Sequence, residues 1–172
     1  REILYMTDMH TDDLYQLAGA ARLRFPVSRL VLDPERFADD AQEPMAARGM
    51  GVIYTITSRR EKLRDPLTAF ERAELISTYY DPHHQTLTEM VDKALSEHDV
   101  CLIIDCHSFP RKALPYELRG EDEERPQICI GSDAFHTPSE LVQLLLSFLA
   151  DKGYSVAENI PFAGAITPLK FY

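Results

Sequence analysis

Cysteine is scarce in the 172-residue sequence and its number is odd: Cys101, Cys106 and Cys129 are all there are. With two of them in apolar runs, where a thiol packs as a small hydrophobe, a disulfide framework is not expected and a reducing cytosol fits. Basic residues are outnumbered, 18 against 28 acidic for a formal net charge of -10, and no stretch concentrates Lys and Arg with interleaved aromatics. Nucleic acid and anionic membranes are therefore not expected as partners. No apolar run approaches the roughly 18 residues of a membrane span, and the opening REILYMTDMH has no signal-peptide core. A soluble, cytoplasmic protein is expected. No repeat, low-complexity segment or linker divides the chain, and 45% hydrophobic residues supply a sizeable core, so one domain over residues 1–172 is predicted. The absence of an initiator Met, an opening inside a helix approach and an ending at LKFY predict a segment of a longer chain, truncated at both ends.

What is present is an alternation of helical and strand-like patterns. Residues 12–24, DDLYQLAGAARLR, put Leu14, Leu17, Ala18 and Ala21 on one face behind two acids, which predicts a helix. Phe25 to Leu32 reads as a strand, and Gly51 to Ile56 as a short strand or extended segment. Helical spacing follows from Pro66 through Leu67, Phe70, Ala73 and Leu75, with Pro82 as an interruption. A second helix is predicted from His83 to Glu97, with Leu87, Met90, Val91, Ala94 and Leu95 inward. Val100 to Ile104 has the length and branching of a strand buried on both faces. The polar stretch 111–125 with GEDEER reads as an exposed loop, and Ile128 to Gly131 as a strand. Ser139 to Lys152 reads as a helix with Thr137 as N-cap, Pro138 at its first position and Gly153 at its stop, and Tyr154 to Ala157 as a last strand. Strands alternating with helices predict an α/β sandwich with a largely parallel sheet.

In such a sheet ligands gather outside the carboxyl ends of the strands. Polar groups follow three predicted strands here: Asp33 to Arg36, Asp105 to Ser108, and the Gly131, Ser132, Asp133 turn that leads to His136. His107 offers an imidazole to a metal such as zinc, and Arg36 a planar fork for a substrate carboxylate. The plainer readings are a capped strand end and a surface salt bridge. Cys106 beside His107 looks like a nucleophile with its base, but adjacent strand residues point to opposite faces.

The phrases SRLVLDPERF, GVIYT, YYDPHH, DCHSFP, RPQICIGSDAFHTP and NIPFAGAITP, in that order along nearly the whole chain, resemble the N-formylglutamate amidohydrolase family. That family is similar to the zinc carboxypeptidases and aspartoacylases, so the resemblance implies a three-layer α/β sandwich of zinc-carboxypeptidase (phosphorylase/hydrolase-like) type with a mostly parallel mixed sheet. It implies one zinc per chain and hydrolysis of the formyl amide of N-formyl-L-glutamate, a small acidic N-acyl amino acid, to glutamate and formate in histidine degradation. VLDPERF resembles the family's carboxylate clamp, with Arg36 as the contact and Asp33 and Glu35 holding its guanidinium. DCHS resembles the zinc motif, which makes His107 a metal ligand. Asp8, in TDMH, matches the acidic position expected to be the carboxylate ligand, with His10 as a supporting or alternative ligand; taken alone, the run Asp8 to Asp13 reads as helix capping. Asp105, on the same strand face as His107, is a candidate to orient the imidazole and stands with Arg36 as a catalytic candidate. Arg125 is a candidate second anion contact, and His84 a candidate to face the substrate.

Two departures from the family matter. Its N-terminal HS segment and the strand glutamate that serves as general base are not in this sequence, and His107 with Asp8 falls short of the three protein ligands of a catalytic zinc. Pro34 and Glu35 also replace the Leu-Asn that many relatives carry before the arginine. The alternatives are thus a related N-acyl amino acid deacylase or carboxypeptidase-like hydrolase, or a catalytically inactive homologue that binds a carboxylate.

Overall fold

The structure, a computed structural model, describes residues 1–117, 124–164 and 166–171. The chain divides into two compact units, the first Arg1–Ser108 with Thr167–Tyr172 and the second Phe109–Ile166.

The first unit is helical. Short helices α1 (Glu2–Tyr5) and α2 (Thr11–Leu14) open it, and the long helical arm is formed by α3 (Ala69–Leu75) and α4 (Asp81–His98). The start of α3 is written in the sequence as a capping box: the Glu71 amide donates to Thr68 Oγ1 at 3.3 Å, and Glu71 Oε2 accepts from the Thr68 amide at 2.8 Å. Pro82 does not break the arm as predicted. The chain passes from α3 into α4 through a π turn at Ile76–Tyr80, so Pro82, which has no amide to donate, falls in the first turn of α4. The arm stops at Asp99, whose left-handed φ of 58° turns its amide back to the Leu95 carbonyl at 2.9 Å. Within α4, Leu87 and Val91 are buried and Met90, Ala94 and Leu95 half-buried, which is the predicted inward face.

Leu32, Val52, Ile53 and Tyr80 form the core of this unit, with Phe25, Leu67, Leu75, Ile76 and Tyr79 against them. Several sequence expectations fail around it. The helix predicted over 12–24 is only the four residues of α2, and Leu14 and Leu17 are exposed. Phe25 to Leu32 is no strand: Pro26 removes a ladder donor, and Ser28 closes a turn by accepting from the Val31 amide at 2.8 Å and, through Oγ, from the Leu30 amide at 3.3 Å. Phe70, one of the residues of the helical spacing read from Pro66, lies in α3 and is exposed. Gly51 to Ile56 makes only isolated bridges, Met50 with Tyr54 and Ile56 with Lys62.

Val100 to Ile104 is also corrected. It pairs with no strand among the described residues, and Val100, Leu102 and Ile104 are 68%, 65% and 65% exposed, with the residues between them half-buried. The alternation is that of extended chain, in which every second side chain shares a face. Burial on both faces would require ladder neighbours and covering layers that the described residues do not supply.

The second unit is a βαβ motif. Strand β1 (Ile128–Ile130) runs parallel to β2 (Val156–Glu158), with Ile128 opposite Val156 and Ile130 opposite Glu158, and α5 (Ser139–Asp151) makes the crossover. The sequence reading starts β2 two residues early and ends it one early. Pro138 is the N-cap of α5, and Thr137, expected in that place, instead accepts the Asp133 amide on its hydroxyl at 3.2 Å. This pair is the sheet of the described residues, so the larger parallel sheet read from the sequence is present there only as two strands. Of the polar stretch 111–125, residues 118–123 lie outside those described; Ala113 in the same stretch is buried. No helix among the described residues is long and apolar enough to cross a membrane.

Candidate metal centre

Three stretches of the first unit meet at His107. The extended chain through Asp105 and His107 carries both side chains on one face, because they are two residues apart, and leaves Cys106 on the other. Cys106 Sγ turns to the Ile104 carbonyl at 3.5 Å. Burial, with Asp105 beside it, pushes its thiol up, away from a reactive thiolate.

The His107 ring has acid on both nitrogens. Nε2 lies 3.1 Å from Glu35 Oε1 and 3.2 Å from Asp105 Oδ1, and Nδ1 lies 3.5 Å from Asp8 Oδ1. Burial alone would lower the imidazole pKa, but hydrogen bonds to Asp105 and Asp8 and the charge of Glu35 lift it to about 11. Asp8 is fixed from three sides: Oδ1 accepts the Ser108 amide at 3.0 Å as well as facing His107, and Oδ2 pairs with the Arg29 guanidinium. Burial works against its charge, yet His107 and Arg29 hold its carboxyl below the usual range. Glu35, with a side chain 35% exposed, is pushed up to about 7, first by desolvation and then by Asp33 and Asp105, with His107 opposing. Ligand atoms of Glu35, Asp105 and His107 all lie within 4.8 Å of one another, an arrangement able to hold a cation.

Arg36 sits one residue on, in a tight polar network. Its Nε is 3.7 Å from Asp33 and its Nη1 3.5 Å from Glu43, both buried acids. Asp33 also accepts the Tyr54 hydroxyl and the Glu35 amide, the latter at 3.1 Å. Glu43 accepts the amides of Phe37 and Met45 at 3.2 and 2.9 Å. These bonds offset the cost of burying two carboxylates. Arg36 Nε itself is buried and has no hydrogen-bond partner among the described residues.

The remaining candidates lie elsewhere or are otherwise engaged. His84 Nε2 meets the Pro34 carbonyl at 2.7 Å and its ring lies 4.1 Å from that of Tyr80, so its contact is with the backbone leading into Glu35 and Arg36. Burial lowers its pKa. His10 is the exposed, left-handed N-cap of α2. Arg125 is in the second unit and is neither solvated nor open to a substrate anion: it pairs with Glu117, their side chains 3% and 4% exposed, and lies over the rings of Phe109 and Phe162. The sequence reading missed Arg29 and Tyr54 altogether. Arg29 stands in SRLVLDPERF as a lone cation before an apolar run, a weak signal, and Tyr54 is indistinguishable in sequence from a core aromatic.

The model of the N-formylglutamate amidohydrolase family matches residues 1–172. Among solved structures, the N-formylglutamate amidohydrolase from Ralstonia eutropha JMP134 is similar, with 27% sequence identity and a TM-score of 0.69 over 80% of this chain and 55% of that one. The chain therefore spans 55% of the length of that relative. No curated protein matches it. A family match that runs the whole length of the sequence, and a solved structure of the same name with the same fold, lead to one assignment: the chain belongs to the N-formylglutamate amidohydrolase family.

Proposed function

We propose that the chain carries the metal and substrate residues of a zinc-dependent amidohydrolase that, with water, converts N-formyl-L-glutamate or a close N-acyl acidic amino acid to the free amino acid and formate or the matching acid. The single observation that carries this reading is the convergence of Glu35, Asp105 and His107 ligand atoms within 4.8 Å, with Arg36 next in sequence to Glu35. The donor set fits zinc: an imidazole nitrogen with two carboxylate oxygens is the composition of a three-ligand catalytic site, and the shortage expected from His107 and Asp8 alone is met by Glu35 and Asp105. When bound, zinc supplies a Lewis acid that lowers the pKa of water to about 7 and polarises a carbonyl.

The protein groups have distinct tasks. His107 and its carboxylates hold the cation. Arg36, steadied by Asp33 and Glu43 and with its side chain 27% exposed, presents a fork to a substrate carboxylate. His84 holds the Pro34 carbonyl and so the turn into Glu35 and Arg36. A specific observation also favours a second placement of the cation: Asp8 stands 3.5 Å from Nδ1 while Asp105 faces Nε2, so Asp8 could be the ligand and Asp105 the orienting group. The full three-layer sandwich, a cytoplasmic setting and a place in histidine degradation accompany this reading on family membership.

Metal content and formate release from N-formyl-L-glutamate, for the chain and for His107→Ala, test it. About one zinc per chain with formate released, both lost in His107→Ala, is expected. Zinc with no formate, but turnover of another N-acyl amino acid or peptide, would make it a related deacylase or peptidase. Zinc retained in His107→Ala would move the centre elsewhere, and no zinc at all would leave a carboxylate-binding homologue.

A further inference from the structure

Arg29 is a cation beside the His107 cluster, paired with Asp8, that neither the clamp nor the metal set uses. The turn closed by Ser28 fixes its backbone, and the Arg64 guanidinium binds the carbonyl of the next residue, Leu30, so its side chain leaves from a held point. It reaches Asp8, twenty-one positions earlier, and pairs with Oδ2, both side chains being about four-fifths buried, 21% and 22% exposed. Asp8 Oδ1 then accepts the Ser108 amide at 3.0 Å and faces His107 Nδ1 at 3.5 Å. Each oxygen of Asp8 thus has its own work, and the rotation of the carboxylate is set by the guanidinium on the oxygen that does not touch His107.

We propose that Arg29 is a positioning residue: by pinning Asp8 Oδ2 it aims Asp8 Oδ1 at the Ser108 amide and His107 Nδ1, and so fixes the plane of the imidazole that carries the metal. Burial disfavours the Arg29 charge, but Asp33 and Asp8 more than compensate, so it stays protonated throughout the working pH range. Arg suits the place because a planar fork meets a carboxylate in a defined orientation, whereas an ammonium gives charge with less direction. Groups that orient a metal-binding imidazole are worth on the order of 10-fold to 100-fold in metal affinity.

The inference rests on the metal reading for its affinity arm alone; its spectroscopic arm does not. In the zinc-free chain, Arg29→Met is expected to shift the Ser108 amide proton resonance and speed its exchange, with the spectrum otherwise folded. Asp8→Asn, which keeps the guanidinium, is expected to disturb the same amide, and Arg29→Lys to restore part of the effect. In chelator-competition titrations Arg29→Met is expected to weaken zinc binding about 10-fold, and the double variant with Asp8→Asn to bind no more weakly than Asp8→Asn alone. An unmoved Ser108 amide in folded Arg29→Met, or losses of affinity that add in the double variant, would overturn the proposal. Zinc retained in His107→Ala would defeat the metal reading, while the Ser108 arm would still judge Arg29. Should Arg29→Met not fold, Arg29→Lys and Asp8→Asn carry the same comparison, and an unmoved Ser108 amide in Asp8→Asn would overturn it.

Discussion

Replacing Tyr54 by Phe removes one atom from the polar network behind Arg36. Tyr54 is 1% and Asp33 2% exposed, and the hydroxyl donates to Asp33 Oδ2. A hydrogen bond to a charged group contributes about 1.5–3 kcal/mol. Asp33 keeps the Glu35 amide at 3.1 Å and Arg36 at 3.7 Å, so part of its charge remains answered. A loss of about 2 kcal/mol follows, which for a chain of this size lowers Tm by roughly 4–8 °C. The loss has a pH signature. Burial, reinforced by Asp33, raises the Tyr54 pKa above its ordinary 10.0, so the folded chain keeps a proton that the unfolded chain gives up. The stabilisation is therefore whole below the unfolded pKa and declines above it, by about 1.4 kcal/mol per pH unit. Urea unfolding of both proteins, followed by circular dichroism, measures this. The stability difference between wild type and Tyr54→Phe should be flat up to about pH 9.5 and shrink above about pH 10. A difference below about 0.5 kcal/mol at pH 7, or one that ignores pH between 9 and 11, would refute the buried bond.

Two further substitutions probe the second unit. Arg125→Ala leaves Glu117 buried without its cation and should cost about 3–5 kcal/mol in thermal unfolding, whereas a loss near zero would return Arg125 to a solvated loop. Gly131→Ala puts a Cβ 2.4 Å from the Gly164 carbonyl oxygen, a backbone atom that cannot swing aside; a loss of about 1–3 kcal/mol is expected, and an unchanged Tm would mean that the two segments do not approach as closely.

Long periodic segments were legible in the sequence. The 83–97 pattern is α4 with its inward face correct, and 139–152 is α5, because a helix closes its hydrogen bonds within itself and its apolar period survives any neighbour. Strands were less legible. Val100 to Ile104 carries a strand's composition, but a ladder depends on a partner that no local pattern specifies. Phe25 to Leu32 shows the opposite failure, in which Ser28 and Pro26 outweigh branched residues. At the site, polar residues after apolar runs pointed to Asp33, Glu35, Arg36, Asp105 and His107. Arg29 and Tyr54 were invisible because their importance comes from pairings with Asp8 and Asp33, residues twenty-one positions away in each case. Arg125 was misread for the same reason: its partners, Glu117, Phe109 and Phe162, come together only in the folded unit.

Charge separates the two placements of the cation. Asp8 is answered by Arg29, and Asp33 and Glu43 by Arg36, whereas Glu35 and Asp105 converge on His107 Nε2. Two carboxylates flank Nε2 and face the His107 ring there, and a divalent cation that takes the place of the ring proton meets both of them. At Nδ1 it would instead meet a carboxylate already shared between Arg29 and the Ser108 amide. That placement would also leave Glu35 facing the His107 ring with no metal to neutralise it, next in sequence to the arginine that is to receive a substrate carboxylate, and like charges there oppose binding. Glu35→Gln therefore gives opposite results in the two cases. With the cation at Nε2, zinc affinity should fall by about 10-fold or more and turnover with it, while Asp8→Asn has the smaller effect. With the cation at Nδ1, Glu35→Gln should retain zinc and lower KM for an acidic substrate, because a like charge has been removed, and Asp8→Asn should be the variant that loses the metal. Zinc titration of the two variants, with KM measured for an acidic and a neutral N-formyl amino acid, decides between them. A Glu35→Gln chain that keeps both its zinc and its preference among those substrates would remove Glu35 from metal binding and from specificity alike.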